Sequence, residues 1–92
     1  MKDKITKEKI EKYRKLTSKA LKLAEKATAK GKEQEAKEII YMVSCYLSDS
    51  DYFEKKGDYV NSLSCLNYAH GWLDCGARLK IFLVKDRKLF TI

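Results

Sequence analysis

His70, Asp74 and Arg78 place an imidazole, a carboxylate and a guanidinium at four-residue intervals. On a helix they stand one turn apart along a single polar face, with Asn67 and Gly71 beside them. An imidazole next to a carboxylate can serve as an oriented general base, and a guanidinium one turn further on can hold an anion. The rest of a catalytic constellation is missing. Ser62 and Ser64 lie about two turns before His70, there is no second His, and no glycine-rich phosphate loop occurs. The simpler expectation is an intrahelical network in which Asp74 bridges His70 and Arg78 and pins its helix to Tyr41 or Glu38. The remaining polar edge is then left for recognition.

A second candidate is a row of lysines, Lys12, Lys15, Lys19, Lys22, Lys26 and Lys30, at three- and four-residue steps. On a continuous helix it spans roughly 27 Å and could follow a phosphate backbone. The same row also reads as a solvated helix face that keeps a small protein dispersed. It contains no Arg, and the neighbouring Tyr13 belongs to the apolar stripe, so bidentate phosphate contacts and base stacking are not evident. Glu8 and Glu11 stand one turn ahead of Lys12 and Lys15 and are placed to pair with them. The basic excess is local: residues 1–32 hold twelve Lys or Arg against four acids, and residues 33–92 eight against nine.

Cys45, Cys65 and Cys75 have no CxxC spacing and are odd in number, which argues against a disulfide framework or a zinc site. Each sits in an apolar helical context and is expected to be a small core residue. Asp49 and Asp51 lack the glycine that a calcium loop requires. No metal or cofactor is expected. No apolar run approaches a membrane span, and MKDKITKEK lacks the apolar centre of a signal peptide. The expected location is cytoplasmic, without membrane association.

These residues need elements to position them. At 92 residues, with no Pro and four Gly, the composition favours an all-α fold: one domain, a three-helix up-and-down antiparallel bundle with a short extended C-terminal tail. Helix one is expected over about 4–30, capped by Asp3 or Thr6, with an apolar stripe of Ile10, Tyr13, Leu16, Ala20, Leu23 and Ala27 and Gly31 as its terminator. Helix two, about 33–56, runs from the acids Glu33 and Glu35 to the bases Lys55 and Lys56 before Gly57. Asp58 then caps helix three, about 58–82. A connection that short makes the last two helices antiparallel neighbours, in a register whose residue numbers total about 115. Asp49 should lie near Leu66, Tyr46 near His70 and Glu38 near Arg78.

Helix three carries two merging apolar stripes. One contains Leu63, Leu66, Leu73 and Ala77; the other contains Cys65, Tyr68, Trp72, Gly76 and Leu79. A helix so broadly apolar is expected to be covered on two sides, with Trp72 shielded. Glycine inside a helix costs about 1 kcal/mol relative to Ala, so Gly71 and Gly76 call for close approaches. Gly76 is expected to admit helix one, and Gly71 either helix two or a partner chain. The tail, 83–92, places a polar Lys85–Lys88 cluster between apolar ends and is expected to lay Leu89, Phe90 and Ile92 on the bundle or on a partner.

The segment AHGWLD-x-GAR, Ala69–Asp74 and Gly76–Arg78, with KGDY before it and LFT after it, resembles the archaeal family catalogued as domain of unknown function 357. The resemblance covers about residues 10–92. It implies a three-helix up-and-down bundle and no assigned activity. It draws attention to Asp49, Phe53, Gly57, Asp58, His70, Trp72, Asp74, Gly76 and Arg78. Cys75, where the family often carries a smaller residue, departs from it.

The residues support two functional readings. In the first, the protein is a non-catalytic module that binds an unknown protein partner, or itself as a homo-oligomer, through Asn67, His70, Gly71, Asp74 and Arg78. In the second, it is an accessory protein that binds nucleic acid through Lys12, Lys15, Lys19, Lys22, Lys26 and Lys30. Neither reading makes it an enzyme.

Overall fold

A computed structural model describes residues 3–92, within which the chain forms α1 (Lys7–Glu25), α2 (Glu33–Lys55) and α3 (Tyr59–Arg78). The fold is an all-α three-helix bundle, as composition and periodicity predict. Of the two candidate caps for α1, Thr6 is used: its hydroxyl accepts the Lys9 N–H at 3.2 Å. At the α2–α3 turn, Gly57 takes φ +76°, its N–H bonds to the Glu54 carbonyl and the Asp58 N–H reaches the Phe53 carbonyl, both at 2.9 Å. That pair of bonds caps the last carbonyls of α2. The Asp58 carboxylate then accepts the Asn61 N–H at 3.1 Å and starts α3.

The expected antiparallel register holds. Ser50 and Ser62 are fully buried between α2 and α3, and each hydroxyl donates to the other residue's carbonyl oxygen, at 2.9 and 2.8 Å. Small side chains whose polar groups are satisfied in this way let two helix backbones approach closely. Tyr46, expected beside His70, stacks on Tyr68 with ring centroids 5.4 Å apart. α3 packs most extensively against α2 and next against α1, while α1 and α2 touch little. Arg14 and Glu54 join those two helices through a half-buried ion pair at 2.6 Å.

Three expectations need correction. α1 stops at Glu25, not near residue 30, because the following backbone pairs elsewhere. Ala29 donates to the Ile81 carbonyl at 2.8 Å, the Leu83 N–H reaches the Ala27 carbonyl at 2.7 Å, and Thr28 bridges Phe82. Such groups cannot also serve an α-helix. The α1 stripe accordingly runs through Ile10, Thr17, Ala20 and Ala24, leaving Leu23 exposed.

α3 likewise ends at Arg78, short of 82. The Lys80 N–H bonds to Ala77 and the Ile81 N–H to Gly76, with Lys80 itself at φ +59°. This is the same capping arrangement as at Gly57, made by a residue that has a Cβ. Finally, Gly76 admits the tail and α2 in place of helix one. A Cβ there would lie 2.6 Å from the Phe82 ring and 3.1 Å from Ile39.

The C-terminal segment docks on its own bundle. Phe82, Leu89 and Phe90 are buried in one cluster with Ala20, Ala24, Ile39, Val43, Leu73 and Ala77. The polar Lys85–Lys88 cluster forms the turn between them, where the Asp86 carboxylate accepts the Lys88 and Leu89 N–H groups.

Candidate functional site

The polar seam of α3 is real, but its most reactive members are tied to the tail. The His70 ring is half-buried, with Nε2 2.6 Å from the Leu89 carbonyl oxygen and Nδ1 3.0 Å from the Thr17 hydroxyl. A carbonyl only accepts, so Nε2 carries the hydrogen, and in the neutral ring the Thr17 hydroxyl donates to Nδ1. Both nitrogens are therefore engaged, and the ring links α1, α3 and the tail. Asp74 accepts the Thr91 N–H at 2.9 Å and the Thr91 hydroxyl at 3.3 Å, and lies 3.9 Å from His70 Nε2. The expected bridge from Asp74 to Arg78 is not formed: among the described residues Arg78 is exposed and has no ion-pair partner. Nor is Asp74 hydrogen-bonded to Tyr41; its partners come from the tail, which sequence periodicity could not place.

What remains open is the other side of α3. Ser64, Asn67, Tyr68, Gly71, Trp72 and Cys75 line a shallow, mainly apolar groove of about 620 Å³. Here the expectation of a helix shielded on both stripes fails. Tyr68 is 63% exposed and Trp72 37%, because α1 and α2 cover only the arc through Ser62, Leu66, Ala69, Leu73 and Ala77. Nothing lies within 4 Å of the Cβ position of Gly71, so no internal contact explains that glycine. Of the predicted seam residues, Asn67 and Gly71 belong to this groove, while His70 and Asp74 stand at its border with the docked tail.

The family model for a protein of unknown function, DUF357, matches residues 12–82. The chain belongs to the DUF357 family. No curated protein and no solved structure matches it. The DUF357 match includes every predicted seam residue and all six lysines of the basic row, and it stops at Phe82. Leu89 and Thr91, which His70 and Asp74 hold, lie beyond it.

The basic row of this DUF357 chain is divided by the fold. Lys12, Lys15, Lys19 and Lys22 are exposed along α1, whereas Lys26 and Lys30 fall in the turn after it. Among the described residues none of the six forms an ion pair, so the anticipated Glu8–Lys12 and Glu11–Lys15 pairs are absent.

The cysteines also separate. Cys45 and Cys65 are half-buried, but Cys75 is exposed on the groove, contrary to the expectation of three core thiols. Burial, reinforced by the Asp49 carboxylate, pushes the Cys65 thiol up from its ordinary pKa. The Tyr41 hydroxyl is raised chiefly by the neighbouring Cys45 thiol. Among the described residues no group of three or more His, Cys, Asp or Glu gathers as a metal site, and no helix is long and apolar enough to cross a membrane.

Proposed function

We propose that this protein is a non-catalytic helical module that binds another protein, or a second copy of itself, through the open face of α3. The observation that carries the reading is the groove around Gly71, flanked by the exposed rings of Tyr68 and Trp72. A glycine within a helix loses about 1 kcal/mol against Ala, and nothing inside this chain repays it. A backbone arriving from outside would. Aromatic side chains of this kind are the usual anchors of protein interfaces. The lining is uncharged although the chain carries +7, so it is a place where a like-charged copy can approach.

Sedimentation of the purified chain beside Gly71→Leu tests this. The variant fills open space and should fold, so loss of a dimer, or loss of a co-purifying protein where the chain alone is a monomer, is the expected result. A variant that matches wild type in both measurements removes the proposal.

A second reading is supported by Lys12, Lys15, Lys19 and Lys22, which are exposed and form no ion pair among the described residues. In it, α1 binds nucleic-acid phosphates, with affinity that falls steeply as salt rises. Changing Lys15, Lys19 and Lys22 to Glu should then abolish retention of an oligonucleotide at low salt. Unchanged retention would discard this reading.

A further inference from the structure

One end of the molecule concentrates unpaired positive charge around exposed apolar surface. Residues 78–88 contain five bases and a single acid, Asp86, whose carboxylate accepts N–H groups of its own turn. The Thr28–Phe82 bridge brings the turn after α1 against this segment and adds Lys26 and Lys30 to the same end. Of the acids at this end, Glu33 accepts the Gly31 N–H at 2.9 Å and Glu35 pairs with Lys32 at 3.7 Å, while Glu25 and Glu38 are exposed, so the bases still outnumber the free acids.

Between the bases runs a groove of about 530 Å³. Phe82 underlies it, Leu83 (61% exposed) and Ile92 (36%) form its apolar walls, and Arg78, Lys80 and Lys85 stand around it. All three bases are exposed, and among the described residues none has an acidic partner.

The geometry points to a docking site for an acidic amphipathic segment of another protein, its apolar side chains seated on Leu83 and Ile92 and its Asp or Glu residues paired with Arg78, Lys80 and Lys85. Among the described residues none of these bases is paired with an acid, so acids of a partner can pair with them, and an apolar floor that excludes water strengthens each pairing. The concave shape suits projecting side chains better than a flat lipid surface. Phe82 is buried, so no aromatic face is offered to a nucleic-acid base. This surface is separate from the Gly71 groove and stands or falls independently of it.

Fluorescence polarisation on the full chain tests the proposal. The probe is a labelled synthetic helix of about fifteen residues with Leu on one face flanked by Glu. Comparators are the same peptide with Ser for Leu, a labelled oligonucleotide and phosphatidylglycerol vesicles. The acidic amphipathic peptide should bind, weaken with salt, and lose at least roughly tenfold in affinity when its leucines become serine. Leu83→Asp and Lys85→Glu, both at exposed positions, should each weaken it by a similar factor, whereas Lys15→Glu and Gly71→Leu leave it unchanged. No binding by the peptide overturns the proposal. So does equal binding of the Ser peptide, equal sensitivity to Lys15→Glu, or capture of the oligonucleotide or vesicles through Leu83 while the peptide stays free.

Discussion

The two sides of α3 exchange the roles that their residue types suggest. His70 and Asp74 have the chemistry of a site, yet they hold Leu89 and Thr91 of the same chain. Tyr68 and Trp72 have the chemistry of a core, yet they face outward around a glycine with nothing near it. The contrast teaches that an element's neighbours, and not its composition, decide which face is structural. Hydrogen-bonding groups near a loose segment are taken up in fastening it. Apolar groups on the side that three helices cannot cover are left over.

The two faces should differ most at Phe82 and Tyr68. Phe82→Ala should cost about 3–5 kcal/mol, the usual penalty for emptying a buried aromatic site, whereas Tyr68→Ala should cost about 1 kcal/mol, mainly its stack on Tyr46. Urea unfolding reads both. Equal losses would mean that the covered and open faces contribute alike to stability.

His70→Ala is next, at about 1–3 kcal/mol, since it removes a bond to the Leu89 carbonyl and leaves the Thr17 hydroxyl unsatisfied. Hydrogen exchange should show residues 89–91 losing protection before the helices do, while Asn67→Ala leaves them unchanged. Uniform loss across the bundle would instead make His70 an ordinary core residue.

Lys80→Gly should raise stability by about 1 kcal/mol, because φ +59° suits glycine better than lysine. A destabilised variant would place the favourable contacts of the Lys80 side chain above its backbone strain. The smallest effect is chemical. Cys75, on the open face, should react with a thiol reagent well before Cys65, which is half-buried and has a raised pKa. Because the raised pKa keeps Cys65 a thiol to higher pH, its labelling should accelerate only at more alkaline pH than that of an unperturbed cysteine. The reverse order of labelling would contradict the assignment of faces.

Much of the fold was legible in the residues because its determinants are local. Thr6 and Asp58 cap the helices they precede, Gly57 turns the chain, and a short connection forces α2 and α3 side by side in a readable register. The candidate site was legible as a set of positions but not as a set of partners. Thr17, Leu89 and Thr91, which complete the His70 and Asp74 network, carry no periodic signal linking them to α3. Thr17 alone hinted at it, as a polar residue among the apolar positions of α1.

By itself, the chain's order of residues determined three helices, their antiparallel arrangement and the residues that share each helix face, since these follow from 3.6-residue periodicity and caps within a few positions. Where α1 ends, which stripe of α3 is covered, and the closing of the tail on its own bundle are settled when the helices pack together. Those outcomes depend on backbone pairing between residues 27–29 and 81–83 and on the packing of Phe82 against Gly76. The first of these contacts joins parts of the chain about fifty residues apart, a span over which local propensity carries no information about which groups will meet.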